Sequence, residues 1–538
     1  MYLKKVTNTY KGETREYAQI VRSVRREDGK SSLEVVRSLG RMETEEDWEW
    51  ARSVLESMEK GEELVKLKDL KIDRQLELGG IWTGDDVWRN CGIQKALMDS
   101  FAGRDTEYNL ERITFLLAVN RFYDPSSDQA AHDWINEKAF SYTTDVAKKW
   151  VYRTQNKLVE EKKVIERRIL DELKANLDPP LDLVFYDLTS TYFEGDGPDL
   201  ADFGYSRDGR PDRVQIVLGV VMAGGIPIAH QVWPGNTTDK STLEEAVEDL
   251  KEKFDIRNVI FVADRGLISS ENLEELKEEG YDYILATKRR KEDLAEKLLV
   301  KDVPGEGKIR TTEVHSEGGR RYILCLNEER RERDLERLKK GRDKCDKELW
   351  KLRDRFEESQ EGRGRPMTKK GVMKRAEKII SGHKRIFNLS FDETLTWDLK
   401  DEEWEYERTI AGKFLIVTTS DLDPSKAVEK YKELKDVERA FDELKNMLNL
   451  RPIYHSTDKG VKGHVFICIL ALLLRRLMEK EASMPFEEIF EKLEPLKVNV
   501  IDHREEEIFQ RNELTPSQEK VIEALGAEKP TKILVTPK

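Results

Sequence analysis

The sequence contains few cysteines, and nothing in their spacing indicates a disulfide framework or a zinc site. The four cysteines, Cys91, Cys325, Cys345 and Cys468, are scattered over 538 residues, and no CxxC pair occurs. The seven histidines also lack the HxxxH and HxH spacings of common metal motifs. These absences argue against a disulfide-stapled secreted protein and favour the reducing cytoplasm.

Long apolar segments are missing as well. The first seven residues lead into polar sequence without the apolar core of a signal peptide. The longest strongly apolar run, residues 465–474, is about half as long as the roughly 20 residues that a membrane-spanning helix needs. We therefore expect a soluble protein without a membrane partner, and a buried helix at this run.

The chain also lacks an overall excess of basic residues. The chain has 94 lysines and arginines against 107 aspartates and glutamates, a net charge of −13. Any surface that binds nucleic acid must therefore be local. The basic charge is concentrated in residues 331–385, with 20 basic and 11 acidic residues. This stretch has a helical pattern with a Gly/Pro break, and it is either a solvated helical hairpin or an arm that binds phosphates.

The chain is long enough for several domains, and its apolar pattern changes along its length. Residues 1–43 have short β-prone runs around a turn at 27–30, whereas residues 44–180 have helical spacing without a recognisable helix-turn-helix. We expect five segments: a small β-rich head (1–43), a helical region (44–180), a mixed α/β core (181–290 and 423–480), an inserted domain (291–422) and a C-terminal tail (481–538).

The core segment predicts the element order β-β-β-α-β-α-β. Its first strand, residues 183–186, ends in Asp187, and the Gly-rich turn at 223–225 joins two further strands in an antiparallel meander. A helix from about 241 to 254 precedes the strand at 258–263, which ends in Asp264. A second helix, at about 270–279, precedes the last strand.

Aspartates at the carboxyl ends of two strands in this order are what an RNase H-like nuclease core needs, because there they can share a divalent cation. Phosphodiester chemistry with two cations calls for a third carboxylate. We assign it to Glu438, on a predicted helix where Lys445 follows two turns later on the same face. The alternative is an ordinary amphipathic helix whose charges face water.

Four segments resemble the DDE transposases of bacterial and archaeal insertion sequences. They are FYDLTSTYFEG around Asp187, PGNTTD at 234–239, VADRG around Asp264 and ERAFDELK from Glu438 to Lys445. The similarity is greatest to the branch with a large insertion between the second aspartate and the glutamate, which carries the signature Y-x2-R-x3-E-x6-K. This chain keeps Tyr431, Glu438 and Lys445 but has Leu434 at the arginine position.

The resemblance implies an α/β protein with an RNase H-like catalytic core, a largely β inserted domain, and a helical region that binds DNA ends. Asp187, Asp264 and Glu438 would be the catalytic residues and ligands of Mg2+ or Mn2+. Tyr431 and Lys445 would contact DNA, with Lys432 and Lys435 substituting for the missing arginine. The implied partners are double-stranded DNA of the element ends and target, and a second copy of the chain in a DNA-bound homodimer associated with the nucleoid.

Two other functions remain open at this point. One is a catalytically silent or domesticated relative that binds DNA without cutting it, and the other is a structure-specific RNase H-like DNA nuclease. His455 and His464, which follow the Glu438 helix, are interpreted as structural residues, with an approach to DNA as the weaker alternative.

Overall fold

The computed structural model describes most of the chain, and it separates into two compact units. One unit combines residues 1–76 with 497–513 and 531–538, and the other combines 77–496 with 514–530. The described residues are 1–10, 13–25, 30–61, 71–103, 107–141, 145–177, 183–237, 242, 260–263, 273, 280–287, 293–362, 366–503 and 506–534.

The strands and helices are numbered in chain order. The strands are β1 Tyr2–Tyr10, β2 Glu13–Arg25, β3 Ser31–Met42, β4 Lys71–Glu77, β5 Leu183–Tyr192, β6 Gln215–Ala223, β7 Ile226–Pro234, β8 Ile260–Ala263, β9 Asp282–Ala286, β10 Ile309–Glu317, β11 Arg320–Asn327, β12 Phe387–Phe391, β13 Leu395–Leu399, β14 Lys413–Thr418, β15 Lys497–His503, β16 Glu506–Arg511 and β17 Ile533–Leu534. The helices are α1 Glu45–Lys60, α2 Gly79–Asn90, α3 Ile93–Ser100, α4 Leu110–Tyr123, α5 Asp128–Glu137, α6 Lys148–Glu160, α7 Lys162–Leu177, α8 Asp293–Leu299, α9 Glu328–Glu361, α10 Lys369–Ile379, α11 Asp401–Ile410, α12 Pro424–Asn446, α13 Asp458–Ala482, α14 Phe486–Leu493 and α15 Pro516–Ala524.

The first unit contains two sheets. The first sheet has the order β1-β2-β3. Its strands β2 and β3 pair as far as Arg25 and Ser31, as a hairpin requires. Of the predicted turn at 27–30, only Lys30 is among the described residues. Helix α1 begins at a capping box formed by Thr44 and Asp47, and Ala51 on its inner face packs with Ala18 of this sheet. The second sheet, β17-β16-β15-β4, joins distant parts of the chain.

Helix α13 forms the apolar centre of the helical part of the second unit. Its residues from Val461 to Met478 are almost all buried, because α4, α6 and strand β7 pack around it. The predicted buried helix at 465–474 is therefore confirmed. Among the described residues, no helix is both long enough and apolar enough to cross a membrane.

The second unit is built on an eight-stranded mixed sheet in the order β10-β11-β14-β9-β8-β5-β6-β7. Strands β5, β6 and β7 form the predicted antiparallel meander, whereas β5, β8 and β9 are parallel. The recorded register aligns Phe185 of β5 with Val262 of β8, and Val262 with Ile284 of β9. The helices predicted at 241–254 and 270–279 fall largely outside the described residues.

Alternation along the strands gives this sheet two distinct faces. One face carries the cluster of buried side chains that includes Tyr186, Leu188, Phe261, Tyr283 and Leu285. Side chains one position earlier or later point to the opposite face. Asp187 is therefore directed away from this cluster.

The region at 291–422 was expected to be largely β, and the structure shows a different composition. Strands β10, β11 and β14 extend the central sheet beyond β9, while α9 is a helix of 34 residues. Buried residues recur on α9 at helical spacing and pack with α10 and with the two-stranded sheet β12-β13. They are Cys345, Leu349, Leu352 and Phe356. The basic stretch thus forms a helical hairpin with a core of its own.

Candidate active site

Asp187 lies inside β5 rather than at its end, so the prediction that the first strand ends at this residue is wrong. Strand β5 continues to Tyr192 because its antiparallel pairing with β6 persists as far as Tyr192 and Gln215. Threonines and a tyrosine, which favour strands, make up most of this extension. Asp187 is half-buried, and its Oδ1 accepts a hydrogen bond of 2.8 Å from the backbone N–H of Leu188.

The parallel register relates Asp187 to the other two strands. Phe185 pairs with Val262, and each of these residues precedes a predicted catalytic aspartate by two positions. Asp264 itself lies outside the described residues. In β9, the residue two positions beyond Ile284 is Ala286, which lines a cavity together with Glu438.

Glu438 is on the exposed side of α12, a helix whose N-cap is Asp423. Val437 and Phe441 of the same helix are buried, and α12 packs against β5, β8 and β9. The ring of Tyr431, about two turns earlier, lies 6.0 Å from that of Phe414 on β14. The helix therefore projects Glu438 toward the carboxyl end of β9.

The cavity beside Glu438 has a volume of about 570 Å³ and is predominantly basic. Three of the four predicted DNA-binding residues line it, namely Tyr431, Lys432 and Lys435. Helix α9 contributes three arginines and one aspartate to the lining of the same cavity. These residues are Arg330, Arg333, Arg337 and Asp334. Five basic and two acidic side chains give the cavity a positive balance that suits phosphate groups.

Comparison with known protein families agrees with this arrangement. Residues 179–474 match the Transposase DDE domain, and residues 3–67 match the N-terminal domain of the IS1634 family transposase. The first match covers more than half of the chain. The chain belongs to the DDE transposases. It is a DNA transposase of insertion sequences, and it carries out metal-dependent cleavage and transfer of DNA strands, which confirms the predicted family and activity.

Among solved structures, the transposase is similar to two others at low identity. A piggyBac transposase synaptic complex with hairpin DNA is 10% identical, with 83% of this chain and 78% of that chain covered and a TM-score of 0.34. A Mos1 transposase paired-end complex with the left transposon end is 15% identical, with 43% and 71% covered and a TM-score of 0.14. Scores this low do not establish a shared fold. No curated protein sequence matches the transposase significantly.

Lys445, the fourth predicted DNA-binding residue, lies apart from the cavity of Glu438. Its Nζ is 2.8 Å from Oδ1 of Asp208, and Arg451 approaches the other oxygen of the same carboxylate at 2.9 Å. Burial lowers the pKa of Lys445, and the bond to Asp208 opposes this effect. The transposase thus holds this lysine in an internal ion network.

The arginines of α9 are the site residues that the sequence did not identify individually. Leu434, which occupies the position of the signature arginine, is buried and lines the cavity with its aliphatic side chain. The guanidinium groups near Glu438 come instead from Arg330, Arg333 and Arg337, which are exposed. The local excess of basic residues was the signal in the sequence, although Arg330 precedes the stretch that was counted.

Proposed function

We propose that the catalytic core of this transposase is RNase H-like and that Asp187, Asp264 and Glu438 are its catalytic carboxylates. The observation that carries the proposal is the register of β5, β8 and β9. Two positions beyond the aligned row Phe185–Val262–Ile284 come Asp187, Asp264 and the cavity-lining Ala286. The strand order β7-β6-β5-β8-β9 supports the same core. In it, neighbouring strands among β5, β6 and β7 are antiparallel, whereas β5, β8 and β9 run parallel to one another.

The position of α12 supports the inclusion of Glu438. Asp187 points to the sheet face opposite the Tyr186–Leu188 cluster, and by the same alternation Ala286 shares the face of Asp187. Tyr431 of helix α12 contacts Phe414 of β14. Phe414 lies two residues before Ile416, the residue of β14 that pairs with Ala286. Helix α12 therefore covers the face on which Asp187 lies.

The donor chemistry of these residues fits Mg2+ or Mn2+. All three offer carboxylate oxygens, which hard divalent cations prefer, and Glu438 and Asp187 retain exposure to solvent. When bound at such a site, divalent cations activate the attacking hydroxyl and stabilise the charge of phosphoryl transfer. Asp187, Asp264 and Glu438 would hold them.

The basic residues around Glu438 would orient the DNA backbone. Lys432 and Lys435 on α12 and Arg330 and Arg333 on α9 line the same cavity, so a phosphate bound there would meet positive charge from both helices. The arginines would supply the guanidinium that Leu434 does not. Tyr431 would fix the sugar-phosphate chain at the same wall. In this proposal a homodimer would bind the element ends and the target DNA.

Neutralising the carboxylates tests the proposal. We expect Asp187→Asn, Asp264→Asn and Glu438→Gln each to abolish cleavage of DNA that carries the element ends, because each removes charge where the cations bind. DNA-end binding, measured by mobility shift, should remain nearly unchanged, since phosphate contacts dominate the affinity. The matched control is Asp436→Asn, an exposed aspartate of the same helix, and it should cleave normally.

The outcomes separate the proposed assignment from its alternatives. Cleavage at nearly the normal rate by any of the three variants would remove that residue from the catalytic set. Cleavage by the unaltered protein that does not depend on the element ends would favour a structure-specific nuclease. Light scattering with and without end DNA tests the dimer, and a monomer in the DNA complex would contradict it.

A further inference from the structure

A second group of metal-ligating side chains lies in the helical part of the same unit. Asp128 is the first residue of α5, His464 lies on α13, and His455 lies in the linker that precedes α13. One donor atom from each residue lies within 4.8 Å of the other two. Oδ2 of Asp128 is 3.1 Å from Nε2 of His455. No local sequence pattern indicates this group, because Asp128 and His455 are 327 positions apart.

The side chains are held in place by further hydrogen bonds, as is typical of metal ligands. Nε2 of Gln155 donates to Oδ1 of Asp128 at 2.8 Å, which orients the carboxylate. Nε2 of His464 lies 3.1 Å from the carbonyl oxygen of Leu450. A neutral imidazole that donates there keeps its lone pair on Nδ1.

The group is buried and incompletely satisfied. The side chains of Asp128 and His464 are 3% exposed or less in relative area, and His455 is 13% exposed. Within the described part of the chain, Oδ2 of Asp128 has no partner with hydrogen-bond geometry, despite its closeness to His455. Oε1 of Gln155 also lacks a partner there. Buried polar atoms of this kind call for a water or an ion.

His455 occupies a space that the backbone of α13 leaves open. A Cβ atom at Gly460 would lie 2.6 Å from Nδ1 of His455 and 3.0 Å from its Cγ. Any larger residue at this position would displace the ring. Gly460 thus allows the imidazole to approach Asp128.

We propose that Asp128, His455 and His464 bind one Zn2+ ion, at a site separate from the catalytic carboxylates. Two imidazoles and one carboxylate form a donor set that suits zinc, whereas Mg2+ prefers oxygen ligands alone. Atoms bound to Zn2+ at about 2.0–2.2 Å in a tetrahedral arrangement are about 3.3 Å apart. The Asp128–His455 separation of 3.1 Å is close to this value, and the remaining separations are within 4.8 Å. A water molecule completes the coordination.

The nearby cation Arg121 works against tight binding at this site. Nη2 of Arg121 lies 4.0 Å from Oδ1 of Asp128, the oxygen that does not face His455. Its positive charge weakens the site relative to one without a nearby cation.

The ion would join the linker after α12 to the helical region. Residues 447–457 connect the helix that carries Glu438 and Lys445 to α13, and Asp128 belongs to α5. Arg451 of this linker also contacts Asp208, the partner of Lys445. Zinc would fix the linker at His455, so its role is to position α12 rather than to take part in the reaction.

Metal binding is tested on the full-length protein with Asp187→Asn, Asp264→Asn and Glu438→Gln, which removes the three proposed catalytic carboxylates as competing ligands. We expect one Zn2+ per chain after exposure to zinc and removal of the free ion, measured by elemental analysis. Co2+ should bind at the same stoichiometry and give the visible absorption of a tetrahedral nitrogen-containing site. Zn2+ should also raise the midpoint temperature of unfolding.

Adding His455→Gln to this protein should abolish the zinc content, the cobalt absorption and the thermal shift. The matched control is His315→Gln, in β10 outside the group, and it should retain all three. No bound zinc in the parent protein, or zinc retained after His455→Gln, would overturn the proposal. Because these measurements do not involve DNA cleavage, they test the zinc site independently of the catalytic assignment.

Discussion

Lys445 of α12 and Asp208, in the segment between β5 and β6, form an ion pair of 2.8 Å that is nearly closed to solvent. The same carboxylate binds Arg451, so one negative charge holds two positive ones. The pair fixes the C-terminal part of α12 to the segment that follows β5. Because Asp187 is on β5 and Glu438 is on α12, this contact helps to set the distance between two proposed catalytic residues.

Asp208→Asn should destabilise the protein by about 3 kcal/mol, because removal of one partner leaves a buried charge without compensation. Urea unfolding followed by circular dichroism measures this as a lower midpoint. The control is Asp212→Asn, four residues later, whose ion pair with Arg210 is exposed. Exposed pairs contribute about 0–1 kcal/mol, so the control should shift little. Equal shifts for the two variants would show that the buried pair does not stabilise the protein.

Gly219→Ala should disturb the strand next to Asp187. Gly219 of β6 pairs with Leu188, and a Cβ atom there would lie 2.7 Å from the ring of Trp233 and 3.1 Å from Leu188. Overpacking of this kind costs about 1–3 kcal/mol. We expect a lower unfolding midpoint and slower cleavage with nearly unchanged DNA binding. Gly195→Ala, where a Cβ meets no described atom within 4 Å, is the control and should be nearly neutral.

Local sequence patterns predicted much of the central sheet and the helix of Glu438. The meander was predictable from β-prone runs around Gly224 and Gly225, and α12 from its N-cap and its apolar face. The local pattern wrongly predicts that β5 ends at Asp187. The strand continues to Tyr192 because of its pairing with β6, which the residues before Asp187 do not reveal. Aspartate is uncommon in strands, so local propensity does not predict that β5 continues past Asp187.

The remaining features depend on contacts between distant residues. Strand β4 joins a sheet with β15, β16 and β17, which are more than 400 residues away, and no local pattern predicts such pairing. The approach of α9 to Glu438 and the grouping of Asp128 with His455 also bring together residues that are far apart in the sequence. The predicted domain limits were drawn from local pattern alone, and they stay predictions.

Arg330→Gln combined with Arg333→Gln should weaken DNA binding at every sequence, since both side chains line the cavity of Glu438. Each phosphate contact that is lost should reduce the slope of log K against log salt by about 0.9. Titration of end DNA at several salt concentrations measures this slope. The control is Lys347→Gln with Arg355→Gln, which removes two exposed charges farther along α9. An equal change in both proteins would indicate diffuse attraction rather than a cavity contact.

Glu443→Gln should loosen α12 from α13. Glu443 is buried on α12, where Arg439 lies 2.8 Å from Oε1 and Arg476 of α13 lies 3.0 Å from Oε2. Arg475, also on α13 and 3% exposed, is 3.4 Å from the same carboxylate. Loss of its charge would leave these guanidinium groups mutually repelling, with a cost of about 3 kcal/mol or more. Because α12 carries Glu438, cleavage should fall more than DNA binding does.

The adjacent residue provides the comparison. Asp442 is exposed and bonds to Asn446 within the same helix, so Asp442→Asn changes the same charge without touching α13. Its unfolding midpoint and cleavage rate should stay close to those of the unaltered protein. If Glu443→Gln unfolds at the same urea concentration as Asp442→Asn, the arginines must find other partners, and the ion cluster does not hold α12. If stability falls while cleavage of the folded fraction stays normal, the cluster stabilises the fold without positioning Glu438.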